Sequence, residues 1–193
     1  MSTDQMIPRG GKFAVIDLET TGFSHARDRV IEVAAVKINR GRIGPVFHTL
    51  IYTDTIPWYA SRVHGIYAHM VQDAPSLAEV RPLFQEFVRD HVLVGHNIVS
   101  FDLRFLCHAF GVAADRPVID TLRWSRQLFP HERSHCLERA AERFGITSSR
   151  FHRAREDALV TARLFLAMRD HRATLSRSGG KKEVKQWRSG RKN

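Results

Sequence analysis

The segment Phe13–Gly22, FAVIDLETTG, decides how the rest of the chain is read. Residues 12–18 are dense in apolar and β-branched side chains, the composition of a short buried strand, and the TTGFSHARD that follows is turn-like. Asp17 and Glu19 stand two apart at the end of this strand, so both project from one side of a sheet. A lone acid there would be an ordinary solvated strand end. A pair framed by FAVI and TTG is costly unless something binds it. Gly22, with Thr20 and Thr21, is compatible with a backbone that turns closely past a ligand, and equally with a plain glycine turn.

Working outward, VIEVAAVKIN and PVFHTLIYT are two further strands separated by the turn RGRIG, which makes an antiparallel trio. After Pro57 the period becomes helical. In SLAEVRPLFQEFVRD, Leu77, Val80, Leu83, Phe84, Phe87 and Val88 fall on one face, Ser76 is the expected N-cap, and Pro82 is placed to kink or shorten the helix. HVLVGHN is a buried strand leading to a helix over 100–110 that stops at Gly111. PVID is a short strand before the helix TLRWSRQLF. HCLERAAERFGI is a helix ended by Gly145, and a last helix over 153–169 turns Ala158, Ala162, Leu164, Phe165 and Met168 to the core. Strands first, then alternating helices and strands, predict an α/β fold with a mixed five-stranded sheet flanked by helices.

The 193 residues suit one domain, 1–171, followed by a tail over 172–193. Of the net charge of +10, the tail carries eight Lys or Arg against one Glu, leaving +3 for everything before it. Its low apolar content predicts disorder. Two readings of its charge stay open: attraction to a polyanion through salt-sensitive phosphate contacts, or a merely solvated tail. Cys107 and Cys136 lack CxxC or zinc spacing and read as buried thiols of a reducing compartment. The N-terminus has no signal-peptide core, and no apolar run reaches the roughly 18 residues a membrane helix needs. A cytoplasmic protein without membrane attachment is expected.

Three more residues join the first pair: Asp102 in GHNIVSFD, and His152 with Asp157 in HRARED. Two carboxylates about 4 Å apart repel by roughly 4 kcal/mol near a protein surface, so a gathering of them must protonate, separate or bind cations. Hard oxygen donors suit Mg²⁺ or Mn²⁺ better than Zn²⁺. Two such ions about 3.5 to 4 Å apart can acidify a water and stabilise both oxygens of an in-line displacement at phosphorus. A histidine is the side chain suited to take the proton near neutral pH. The set therefore points to metal-assisted cleavage of a phosphodiester, although each member alone has an ordinary structural explanation.

In this order, the motifs FAVIDLETTG, VGHNIVSFDLRFL and HRAREDA, with ASRVHGI between the first two, resemble the DEDDh group of 3′-to-5′ exonucleases, the DnaQ-like family that includes the proofreading epsilon subunit of bacterial DNA polymerase III. The likeness runs over residues 12–170. It implies a ribonuclease H-like fold in which Asp17, Glu19, Asp102 and Asp157 hold two Mg²⁺ or Mn²⁺ ions and His152 is the general base, releasing nucleoside 5′-monophosphates. It further implies a terminal-nucleotide pocket of Thr20, Ile56, Val63, His64, His96 and Phe101, with Asn97 close by. The related group with tyrosine four before the last aspartate is excluded, since that position is Arg153. Arg155 and Glu156 stand where many members carry apolar residues. The expected substrate is a nucleic acid with a free 3′ end, single-stranded DNA first, with a DNA polymerase as partner. An RNA exonuclease on the same scaffold is the alternative, and a non-catalytic nucleic-acid binder ranks below both.

Overall fold

The computed structural model describes residues 11–148 and 151–177. One sheet has the strand order β3-β2-β1-β4-β5. Strands β1 (Lys12–Thr20), β2 (Val30–Asn39) and β3 (Arg42–Leu50) pair antiparallel, while β4 (Val92–Gly95) runs parallel to β1, and β5 (Val118–Asp120) parallel to β4. The β2–β3 hairpin turns on Arg40 (φ 50°) and Gly41 (φ 75°), the doubly positive φ of a tight hairpin turn. β3 begins at Arg42, earlier than the sequence suggests, and Pro45 is tolerated because β3 is an edge strand.

Strand alternation builds two cores. Ala14, Ile16 and Leu18 of β1 face one side with Phe84 and Val88 of helix α3 (Leu77–Val88) and Phe105, Leu106 and Phe110 of α4 (Asp102–Phe110). Phe13 and Val15 face the other side with Ala34, Val36, Trp124 and the helix α7 (Ala154–Arg177). Between β3 and α3 lie the short helices α1 (Trp58–His64) and α2 (Ala68–Val71); α5 (Thr121–Leu128) and α6 (Leu137–Glu142) precede α7. Ser76 caps α3 in a reciprocal box with Glu79, as its sequence position predicts. Pro82 lies inside that helix without ending it, and Leu83 beside it is exposed rather than in the core.

Helix α7 outruns its sequence assignment: it continues from Arg169 to Arg177, so residues 172–177 are helical rather than tail. The rest of the basic segment, 178–193, lies outside the described residues. Neither cysteine is fully buried as expected; Cys107 is half-buried and Cys136 exposed, both as free thiols. Among the described residues no helix is long and apolar enough to cross a membrane.

Candidate active site

On β1 the face that carries Phe13 and Val15 continues with Asp17 and Glu19, so the acids sit where the apolar floor under α7 ends. Phe165 of α7 meets Phe13 edge-on with ring centroids 4.9 Å apart. Eight residues back along α7 is about 12 Å and four residues forward along β1 is about 13 Å, which brings Asp157 level with Asp17. One carboxylate oxygen each from Asp17, Glu19 and Asp157 lies within 4.8 Å of the others. Asp102, the first residue of α4, stands just outside this trio with its carboxyl against the Leu18 backbone N–H. Its charge still reaches Asp17.

The electrostatics follow from that crowding. Burial, then the charges of Asp102, Asp157 and Glu19, push the Asp17 carboxyl well above the carboxylate range. Glu19 is raised to about 8 by burial and then by Glu32 and Asp157. Burial raises Asp102 to about 7 against the opposing backbone N–H groups, and Asp157 to about 6 against the His152 N–H. Asp157 Oδ1 is buried without a hydrogen-bond partner. An all-oxygen cluster that resists ionising and leaves an acceptor unused fits a hard divalent cation, which would restore its charge.

Next to the trio, Glu32 of β2 is fully buried and registers opposite Glu19. It is nonetheless ionised: burial works to raise it, but hydrogen bonds from His48, Arg153 and the Ala154 N–H hold it at about 2. His152 precedes this anchor with φ 62°, and its N–H donates to Asp157 Oδ2 at 2.9 Å. Its side chain is exposed and lies within electrostatic reach of Asp157 and His64. Arg155 and Glu156 pair with each other at 3.1 Å, while Ala154, Asp157 and Ala158 beside them are buried.

The residues expected to line a nucleotide pocket divide. Thr20 is buried and spends its hydroxyl on the Gly22 carbonyl at 2.6 Å. His64 is buried at the end of α1, where Gly65 turns the chain at φ 68° and the Ile66 N–H donates to His64 Nδ1. Burial lowers its pKa, and its buried Nε2 has no well-formed hydrogen bond, with the Thr20 backbone its nearest polar influence. Val63 is exposed, and Ile56 is half-buried against the cluster of Ile31, Ile66 and Val71. Phe101 stands half-buried at the N-cap position of α4 without a capping bond, and Asn97 takes the left-handed φ 70° that asparagine tolerates best after glycine. His96 is fixed through both ring nitrogens. Its Nε2 lies 2.8 Å from the His135 carbonyl and its Nδ1 3.0 Å from the Thr121 hydroxyl, so both ring nitrogens tie β4 to α5 and the loop before α6. Gly22 is likewise structural, since a Cβ there would meet the Asp28 carboxylate at 2.6 Å.

Three features had weak or no sequence signals. Phe23 is 89% exposed and packs edge-on to Phe101 at 6.3 Å, an aromatic whose position right after Gly22 was its only clue. Asp120 is a buried hub, accepting from Asn97 and Val99 on one side and from Leu122 and Arg123 at the start of α5 on the other. The DT at the end of PVID could have marked it as an N-cap. The Glu32–Arg153 pair joins residues 121 positions apart and had no local signal.

A mixed five-stranded sheet with carboxylates gathered at the end of its central strand is a nuclease architecture of the ribonuclease H-like type. The chain belongs to the DnaQ-like exonuclease family, whose description, Exonuclease, matches residues 14–165. It is 37% identical over 160 residues to the DNA polymerase III subunit epsilon of Aquifex aeolicus, covering 81% of this chain and 79% of that protein. It is 39% identical over 162 residues to the PolC-type DNA polymerase III of Caldanaerobacter subterraneus subsp. tengcongensis, but spans only 12% of that protein's length. Among solved structures it is similar to Exonuclease X in complex with 5′ overhanging duplex DNA (TM-score 0.70, 25% identity, 83% of this chain and 93% of that one). It also shares its fold with a zinc-bound complex of E. coli Exonuclease I and single-stranded DNA (TM-score 0.74, 19% identity, 87% of this chain and 42% of that one).

Proposed function

We propose that the protein is a 3′-to-5′ exonuclease that hydrolyses phosphodiesters one at a time from the free 3′ end of single-stranded DNA, releasing nucleoside 5′-monophosphates. The observation that carries this is the convergence of Asp17, Glu19 and Asp157 oxygens within 4.8 Å, with Asp102 alongside. These four residues would hold two Mg²⁺ or Mn²⁺ ions, which when bound supply charge neutralisation at the phosphate and a more acidic water.

The chain's own groups do the rest. His152, exposed at the rim with Asp157 bonded to its backbone, takes the proton of the attacking water. Asp157 thus both donates an oxygen to the cluster and orients the base's main chain. Thr20, Ile56, Val63, His64, Asn97 and Phe101 seat the terminal nucleotide, and Phe23 extends the aromatic surface beside Phe101. Stacking and apolar contact grip any base, which suits an enzyme that digests without reading sequence. His96, fixed through Thr121 and His135, lines the same pocket with its ring held in one orientation.

DNA is preferred over RNA because the relatives' names are those of DNA polymerase III components and the solved neighbours carry DNA. On the same basis we propose a replicative polymerase as partner and the cytoplasm as location, with a catalytic domain ending at α7 and a basic tail after it. The test is degradation of matched 5′-labelled DNA and RNA strands with Mn²⁺. A stepwise ladder on DNA that outpaces RNA is expected; faster RNA digestion would reassign the substrate, and no shortening of either would overturn the reading.

A further inference from the structure

His152 has an odd situation for a residue asked to meet a water molecule with accuracy. Its side chain is exposed, and among the described residues no side chain hydrogen-bonds its ring. Its backbone sits at φ 62°, in the left-handed region that non-glycine residues avoid unless their surroundings enforce it. What enforces it lies on both sides. Before it in the bonding pattern, the His152 N–H is held by Asp157 Oδ2 at 2.9 Å. After it, Glu32 takes hold of the next two residues: Arg153 Nε at 3.1 and 3.2 Å, Arg153 Nη2 at 2.8 Å and the Ala154 N–H at 3.0 Å.

Glu32 is well made for this. It projects from β2 on the same face as Ala34 and Val36, against α7, with no exposed surface. A planar guanidinium gripped through two nitrogens fixes direction as well as distance, which a lysine could not do. His48 approaches the same carboxylate at 2.7 Å from the neighbouring edge strand. A buried carboxylate with all these donors is anchored to the sheet, and the sheet also carries Asp17 and Glu19. The His152 turn is thereby referenced to the same rigid element as the metal-holding acids.

We propose that Glu32 and Arg153 are positioning residues, a buried clamp that holds the backbone of His152 so that its unsupported imidazole faces the carboxylate cluster. This rests on the reading of His152 as the general base. Glu32 also faces Glu19 across the strand pair and raises its pKa, so the metal affinity of a clamp variant separates any effect on the acids from the effect on the histidine.

Two measurements separate the clamp from the base. In metal-free protein, amide exchange at His152 should quicken about tenfold or more in Arg153→Gln, with the β2 amides unchanged. Unchanged exchange at His152 would overturn the clamp whatever the enzyme does. On single-stranded DNA, Arg153→Gln should lower kcat on the order of 10²-fold, as misplacing a catalytic group does, with KM and Mn²⁺ affinity within about twofold. In a His152→Ala background the same change should cost less than about threefold, because the group it positions is gone. An equal loss in both backgrounds would overturn the proposal. Arg153→Lys, which keeps the charge and loses the fork, should behave like Arg153→Gln and guards against misfolding of any single variant. Full turnover in His152→Ala alone would instead sink the reading of the base, and the clamp's purpose with it.

Discussion

Glu19 and Glu32 stand directly opposite each other across the β1–β2 pair, yet one carboxyl is pushed to about 8 and the other held at about 2. Like charges facing each other across a strand pair repel, so only one can ionise cheaply. Glu32 wins because Arg153, His48 and the Ala154 N–H meet it. Glu19 is left to wait for a cation.

That asymmetry makes stability depend on pH in a sign that can be worked out. Glu19 at about 8 and Asp102 at about 7 are raised, so the folded protein holds protons the unfolded chain has lost, and stability falls as pH rises toward those values. The histidines His64, His91 and His96 are lowered by burial and work the other way, but only below the ordinary histidine value of about 6.5. In EDTA, Tm should therefore drop between about pH 6.5 and about pH 8.5, and Mn²⁺ should remove most of the drop. A flat or rising Tm in calorimetry would contradict the crowding.

His152→Ala should reduce turnover about 10²- to 10⁴-fold, the usual worth of a general base. Mn²⁺ affinity, measured separately by calorimetry, should stay within about threefold of the parent. A large loss of affinity would make His152 a ligand.

Phe23→Ala should leave the unfolding free energy unchanged within about 0.5 kcal/mol, since surface substitutions away from buried features cost little and Phe23 is 89% exposed. Its KM for single-stranded DNA should rise about tenfold, corresponding to a stacking contribution of about 1 to 3 kcal/mol. An unaltered KM would make the ring a bystander.

Cutting the chain after Arg177 preserves α7 and removes six of the basic side chains, Lys181 to Lys192, with Glu183. Binding to a single strand should weaken chiefly at low salt, with a shallower salt slope, as read by fluorescence anisotropy. An identical slope would leave the segment as a solvated tail.

Much of this site could be read from local sequence because its geometry is periodic. Asp17 and Glu19 share a face by strand alternation, and Asp157 falls at the end of a helix whose apolar stripe, Ala158, Ala162, Phe165, names its buried side. The hairpin turn, the Ser76 cap and the Gly111 stop are likewise properties of a few adjacent residues. Long-range pairing was hidden. Nothing local marked Arg153 as the partner of Glu32 on β2, or showed that α5 and the following loop would engage both nitrogens of His96. Exposure was hidden too, since nothing local distinguishes Leu83 on the outer face of α3 from its buried neighbour Phe84.

The central claim is that four carboxylates from three separate stretches of chain form one cation site. Calorimetric titration of Mn²⁺ into metal-free protein at about pH 7, below the Glu19 value of about 8 so that bound ions must displace its proton, tests it directly. Two ions per chain should bind with proton release, and Asp17→Asn should abolish that binding and DNA shortening while raising the metal-free Tm. Absent binding in the parent, or undiminished binding in Asp17→Asn, would contradict it.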